Sequence, residues 1–275
     1  MTPYLSAVVI GLAAALLLES VRPARALDAL EELPRWLGNL VLSALSIAVG
    51  LLTPTLLWTA YAALGGAAEP GGGWGGLRAS SSPVIVQWVL TFALMEALGY
   101  ALHRLAHHVP WLWRLHAVHH SDPHVDATTT HRHHPLESLV NTALALPVLV
   151  AVGPPVEAVL AYSMLHALVS AFSHANLRLP SGLERVLSPL IATPGYHRVH
   201  HSATRPWTNT RYANVFPVFD RLFGTHAPDA PRADPDLLLG LDSARADEQR
   251  LDQLLLAPLR PQTLPAAPRA PQSNR

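Results

Sequence analysis

The chain contains no cysteine among its 275 residues. That excludes disulfides, iron–sulfur clusters and thiolate zinc sites, so any metal must be held by nitrogen and oxygen. It contains no lysine either, and charged residues make up only 14% with a formal net charge of zero. No clustered basic surface is available to phosphates, which removes nucleic acid from the partners to consider. Aromatic residues are also sparse, at 7%. What is abundant is apolar surface, half of all residues, and histidine, sixteen residues that all fall between His103 and His226.

The apolar residues collect into runs of membrane-spanning length, since about 17–25 residues cross the hydrocarbon layer. Residues 4–20, 36–64, 83–102 and the pair 138–153 with 155–173 are the candidate spans. The first lacks a basic leader before it and a small-residue cleavage site after it, so it is expected to be a retained anchor. Pro54 should kink the second, and the Gly-rich stretch 65–83 reads as a loop. The last pair breaks at Gly153-Pro154-Pro155 and reads as a helical hairpin. The expected fold is therefore an all-α integral membrane bundle of about four spans, the last a hairpin, with a cytoplasmic helical cap. Residues 1–260 form its single domain, and the Pro-rich 261–275 is expected to be a disordered tail.

Arginine placement predicts the orientation, because basic residues accumulate in cytoplasmic loops. With the N-terminus outside, 18 of the 19 arginines lie inside and only Arg78 lies outside. The same topology places the histidines at the cytoplasmic ends of the spans. Leu251, Leu254 and Leu255 mark one side of a short amphipathic helix expected to pack beneath them.

Three histidine clusters stand out: His103-x-x-x-His107, His116-x-x-His119-His120 and His197-x-x-His200-His201. Residues three or four apart share a helix face, so each cluster is expected to aim several nitrogens at one point. Eight imidazoles exceed the ligands of one ion, which predicts two metals; imidazole suits zinc, copper, iron and nickel alike. Glu96, Asp122, Glu137 and Asp220 are expected to orient the outer imidazole N–H groups.

These motifs together resemble the fatty acid hydroxylase/sterol desaturase superfamily of membrane non-haem di-iron enzymes. Glu96-Ala-Leu-Gly-Tyr100-Ala-Leu-His103-Arg-Leu-Ala-His107 is similar to its first box, although the family usually begins with Asp. His116-Ala-Val-His119-His120-Ser is similar to the second, and Arg132-His133-His134-Pro-Leu-Glu137 to the segment re-entering the membrane. His174-Ala-Asn176, then Thr193-Pro-Gly-Tyr-His197-Arg-Val-His200-His201, resemble the later ligand regions, and Asp220-Arg-Leu-Phe-Gly-Thr225 the closing signature. The resemblance adds His174 to the ligand set and proposes His134, while His166, an ionisable residue inside a span, is a further candidate. Tyr100 and Asn176 join Glu96, Glu137 and Asp220 as supporting residues. His108, His124, His131, His133 and His226 are expected to be supporting or surface residues.

The resemblance implies two iron ions, dioxygen as co-substrate, and a membrane lipid as the molecule hydroxylated or desaturated. It also implies an electron donor, a ferredoxin or a cytochrome b5-like protein with its reductase. The rival readings are a di-zinc lipid hydrolase, distinguished by zinc content and oxygen-independent turnover, and a metal transporter or sensor. A transporter needs ligands along a path through the bilayer, where His166 alone is a candidate.

Overall fold

A computed structural model describes residues 2–63, 76–227, 237–241 and 249–260. Most of the Gly-rich stretch and the Pro-rich tail lie outside the described residues. Among the described residues the fold is helical and no strand forms, apart from isolated bridges between Pro23 and Leu177 and between Ser202 and Leu239.

Five helices are long and apolar enough to cross a membrane: α1 (Thr2–Val21), α2 (Ala29–Ala63), α3 (Val84–His108), α5 (Pro135–Val152) and α6 (Val156–His174). The chain is thus a multi-pass membrane protein in which the expected hairpin counts as two helices. Gly153 turns the hairpin at φ 60°, a left-handed conformation that glycine adopts without penalty, and Pro155 caps the start of α6. Helix α2 is assigned without interruption through Pro54. α1 lies along α6 and α2 along α5. The outward faces carry Ile10, Leu17, Ile85 and Val89, all more than half exposed, as expected for helices surrounded by lipid.

Two helices extend beyond their apolar runs, and both extensions serve the cap. Helix α3 continues past residue 102 and carries His103 and His107 on its last turns. Helix α2 begins seven residues before position 36 because its polar first turns point inward. There Arg35 reaches both oxygens of Asp122 at 3.0 Å and also bonds Glu32 and Asp126. Asn39 donates to Asp122 at 3.0 Å and to Thr128 at 2.9 Å, and accepts from Arg132 at 2.6 Å. This network ties α2 to the end of α4 (Pro110–His120) and to the 3-10 helix Ala127–His131, whose N-cap is Asp126. Arg35 and Arg132, which contribute to the arginine bias, are therefore buried structural cations.

The rest of the cap is built from short helices: α7 (Ser181–Leu187), α8 (Pro194–His200), α9 (Arg205–Thr208), α10 (Val218–Leu222) and α11 (Leu251–Leu256). Leu254 of α11 packs with Leu42 of α2 and Val118 of α4, and Leu251 and Leu255 flank that contact. The amphipathic leucines thus lie beneath the histidine-bearing helix.

Asp122 is fully buried, and removing it leaves the Arg35 guanidinium short of its bidentate partner. Asp122→Ala is expected to destabilise the protein by about 3–5 kcal/mol, the cost of breaking a buried charge pair from one side. Thermal unfolding in detergent checks this; an unchanged midpoint would mean that the network contributes no stability.

Candidate metal centre

Nine imidazoles converge where α3, α4, α6 and α8 end, and they divide into two groups. His103, His107, His116, His120 and His200 form one; His119, His174, His197 and His201 form the other. Within each group the potential ligand atoms all lie within 4.8 Å of one another. Two nitrogens on opposite sides of an ion, each ~2.1 Å from it, are ~4.2 Å apart, so the 4.8 Å limit brings either group close to the size that one ion spans.

The division corrects the expectation that each box serves one point. Residues four apart on a helix lie on one face, and their immediate neighbours diverge by about 100°. His116 and His120 accordingly point together while His119 turns to the other group. In α8 and its cap His197 and His201 point together, and His200 turns away to join the first group. The two boxes are crossed, each giving two imidazoles to one group and one to the other. The groups adjoin, with the His120 and His201 rings stacked 4.5 Å apart between centroids.

Hydrogen bonding at the outer nitrogens fixes which nitrogen faces inward. A backbone carbonyl only accepts, so a neutral imidazole that bonds one through Nδ1 carries its proton there and keeps its lone pair on Nε2. His103 Nδ1 donates to the Tyr212 carbonyl at 2.9 Å, His200 to Thr210 at 2.7 Å and His174 to Ser170 at 2.8 Å. His116 Nδ1 donates to Glu137 at 2.7 Å. In the first group the Nε2 atoms of all five residues are buried without a hydrogen-bond partner among the described residues. In the second, His174 Nε2 lies 3.2 Å from that of His119 and 3.0 Å from that of His197, which is 3.1 Å from that of His201. Lone pairs that converge repel unless a proton or a metal ion lies between them, so both groups fit a metal ion. Nitrogen donors alone do not choose among zinc, copper, iron and nickel.

Burial keeps these imidazoles in the neutral form that binds metal. It lowers His119, His120, His197 and His201 well below the usual histidine value, with neighbouring imidazoles adding to the effect. His200 is lowered by burial to about 3, against an opposing contribution from the Thr210 carbonyl. Trp113 packs on His107 and His120, and Tyr212 on His103, His107 and His200, with ring centroids 5.1–5.7 Å apart.

The carboxylates do less at the imidazoles than expected. Of the four, only Glu137 touches any, accepting from His116 and, at 3.0 Å, from His133. Asp122 is taken by Arg35. Asp220 accepts from the amides of Tyr212 and Ala213 at 2.9 and 2.8 Å, and Glu96 from those of Asn214 and Val215 at 3.1 and 3.2 Å. Four consecutive amides are thus held by two buried acids, which set the Tyr212 carbonyl that orients His103. Asn176 brackets the backbone of Arg25, and Tyr100 bonds Thr225 at 3.0 Å; neither touches an imidazole.

Two proposed ligands lie outside both groups. His134 caps α5, accepting from the Leu136 amide, and its Nε2 donates to the Leu255 carbonyl at 3.1 Å, so both nitrogens are engaged. His166 stands beside Tyr162, with ring centroids 6.4 Å apart, and lines a cavity below the centre. Among the remaining histidines, His124 bonds Glu32 and His108 the Arg104 carbonyl. His133 shares Glu137 with His116 and stacks on His119 at 4.2 Å. Its i,i+4 spacing to Glu137 was the available signal. Glu137 therefore links the two groups, and Glu137→Ala is expected to weaken metal retention about 10–100-fold. Competition against a chelator measures this, and wild-type retention would show that Glu137 does not orient His116.

The fatty acid hydroxylase family profile matches residues 88–225, which contain every residue of both histidine groups. The chain is 34% identical over 150 residues to an ornithine lipid hydroxylase of Rhizobium tropici, covering 54% of this chain and 44% of that protein. It is 31% identical over 146 residues to an alkylglycerol monooxygenase of Danio rerio, covering 53% and 31%. Similarity to a very-long-chain aldehyde decarbonylase of Oryza sativa is 31% identity over 174 residues, covering 60% and 27%. The matches thus span less than half the length of these relatives. No solved structure matches. The family profile covers half of the chain and contains the whole imidazole centre, and the chain belongs to the fatty acid hydroxylase family.

Proposed function

We propose that this chain is a membrane-bound di-iron enzyme that uses dioxygen to hydroxylate or desaturate a C–H bond of a membrane lipid. The observation that carries this reading is the pair of adjoining groups, five and four imidazoles, at the ends of apolar helices. Five nitrogens in one group exceed the four ligands that close a zinc site, which favours iron over the di-zinc hydrolase. The histidines lie together at one end of the helices rather than along a path through them, which counts against a transporter.

Irons held by these nitrogens would supply the oxidation of an unactivated C–H bond by dioxygen, with two electrons per turnover from a ferredoxin or a cytochrome b5-like protein and its reductase. His103, His107, His116, His120 and His200 would hold one ion and His119, His174, His197 and His201 the other. Glu137 and the carbonyls of Tyr212, Thr210 and Ser170 keep the ligand rings oriented. Trp113 and Tyr212 exclude water from one side. A cavity of about 330 Å³ reaches His103, His116, His119, His174 and His197, and would admit the substrate. The arginine bias supports a cytoplasmic centre with the N-terminus outside. The names of the relatives point to three different lipids, so the substrate is open at this level.

Metal analysis and oxygen uptake test the reading. Purified protein is expected to hold two irons and to consume oxygen with a reduced donor and a membrane lipid extract. An active preparation that holds zinc and turns over without oxygen would overturn it.

A further inference from the structure

Several polar side chains that line the cavity reaching the imidazoles have no hydrogen-bond partner among the described residues. Asn141 on α5 and His166 on α6 line it, and neither has a hydrogen-bond partner among the described residues. His131, at the end of the 3-10 helix, also lines it, and its Nε2 is buried without a partner. Ser138 and Ser170 also line it. Polar groups are costly to bury unpaired, and an alkyl chain filling this space would leave the amide and both imidazoles unsatisfied. A hydrogen-bonding group satisfies them.

The lining also restricts the charge of that group. Among the described residues no arginine lines the cavity, and the one carboxylate that does, Glu137, is engaged by His116 and His133. The free side chains offer neutral donors and acceptors, the complement of hydroxyls rather than of a phosphate. A volume of about 330 Å³ is near the lower end for small-molecule pockets, enough for a headgroup and its first carbons. The rest of a long chain would lie along the apolar helix faces.

We propose that Asn141, His131 and His166 form a recognition site for an uncharged, hydroxyl-bearing lipid headgroup, which sets the oxidised carbon within the first few atoms after the head. The oxidation rests on the di-iron reading above, whereas headgroup recognition is measurable without turnover. Three probes of equal chain length separate the possibilities in the metal-loaded, detergent-solubilised protein: 1-O-hexadecylglycerol, hexadecyl phosphate and hexadecane. The glycerol ether is expected to raise the thermal unfolding midpoint at a concentration at least about tenfold below that at which either other probe acts. Asn141→Leu and His166→Phe should each abolish this preference at unchanged metal content. Asn141→Ser, which removes the amide with less disturbance of packing, should do the same if the leucine variant does not fold. The product's new oxygen or double bond, located by mass spectrometry, should lie near the head.

Equal effects of the three probes, retention of the preference in the variants, or oxidation near the chain end would overturn the proposal. Headgroup preference without oxygen consumption would support the recognition site and count against the oxygenase reading instead.

Discussion

Alanine at His120 should remove one metal ion from the protein, and alanine at its chain neighbour His119 should remove the other. Each single variant is expected to retain about one of two ions, because the lost nitrogens belong to different groups. The double variants separate this arrangement from a shared centre. His107→Ala combined with His120→Ala depletes one group twice and should still leave one ion, whereas His119→Ala with His120→Ala should leave none. Turnover is expected to fall at least 100-fold in every one of them, since loss of a partner outside the ligand shell already reaches about that range. His226→Ala is the control: its ring stacks on Tyr196, away from both groups, and it should keep both ions. Metal content by mass spectrometry of the desalted protein reads all five variants. If the His107/His120 pair loses both ions, or the His119/His120 pair keeps one, the crossed assignment is wrong.

That crossing illustrates what the sequence could and could not reveal. Spacing singled out the eight boxed histidines that the fold brings together, because His-x-x-His-His at the end of an apolar run has few other physical uses. Assignment to an ion was hidden, since residues three and four apart both neighbour the first on a helix and only the packing of α3, α4, α6 and α8 separates them. The long apolar helices were legible from apolar runs. The early start of α2 was not: Glu32, Arg35 and Asn39 read as exposed polar residues until Asp122 and Arg132 are known to meet them. Acids were the least legible class. A carboxylate near a histidine box in sequence can meet an imidazole, as Glu137 does, or backbone amides, as Asp220 and Glu96 do, and only distances decide. His134 shows the same limit, because its place in a resembling motif gives no sign that capping and the Leu255 carbonyl use both nitrogens.

Acidification from pH 7 to pH 5 should release the metal and markedly destabilise the metal-free fold. Protons and metal compete for the same lone pairs, so affinity declines once the pH passes below the histidine range. For the metal-free protein the direction follows from linkage. Burial holds His131 and His200 at about 3, whereas an unfolded chain titrates them near 6.5. Between those values the unfolded state binds more protons, so stability is highest above about pH 6.5 and falls as the pH drops through the window. At pH 5 each of the two contributes a loss of about 2 kcal/mol, from 1.36 kcal/mol per pH unit over about 1.5 units. His119, His120, His197 and His201, lowered in the same direction, steepen the decline. Asp122 acts elsewhere on the scale: burial raises it, Arg35 and Arg132 more than reverse this, and its contribution is lost only below its ordinary carboxylate range. Melting curves of chelator-treated protein at pH 7.5, 6 and 5 should therefore show the drop while Asp122 is still ionised. A midpoint unchanged down to pH 5 would mean that these rings accept protons in place, and that the centre is open to water rather than enclosed.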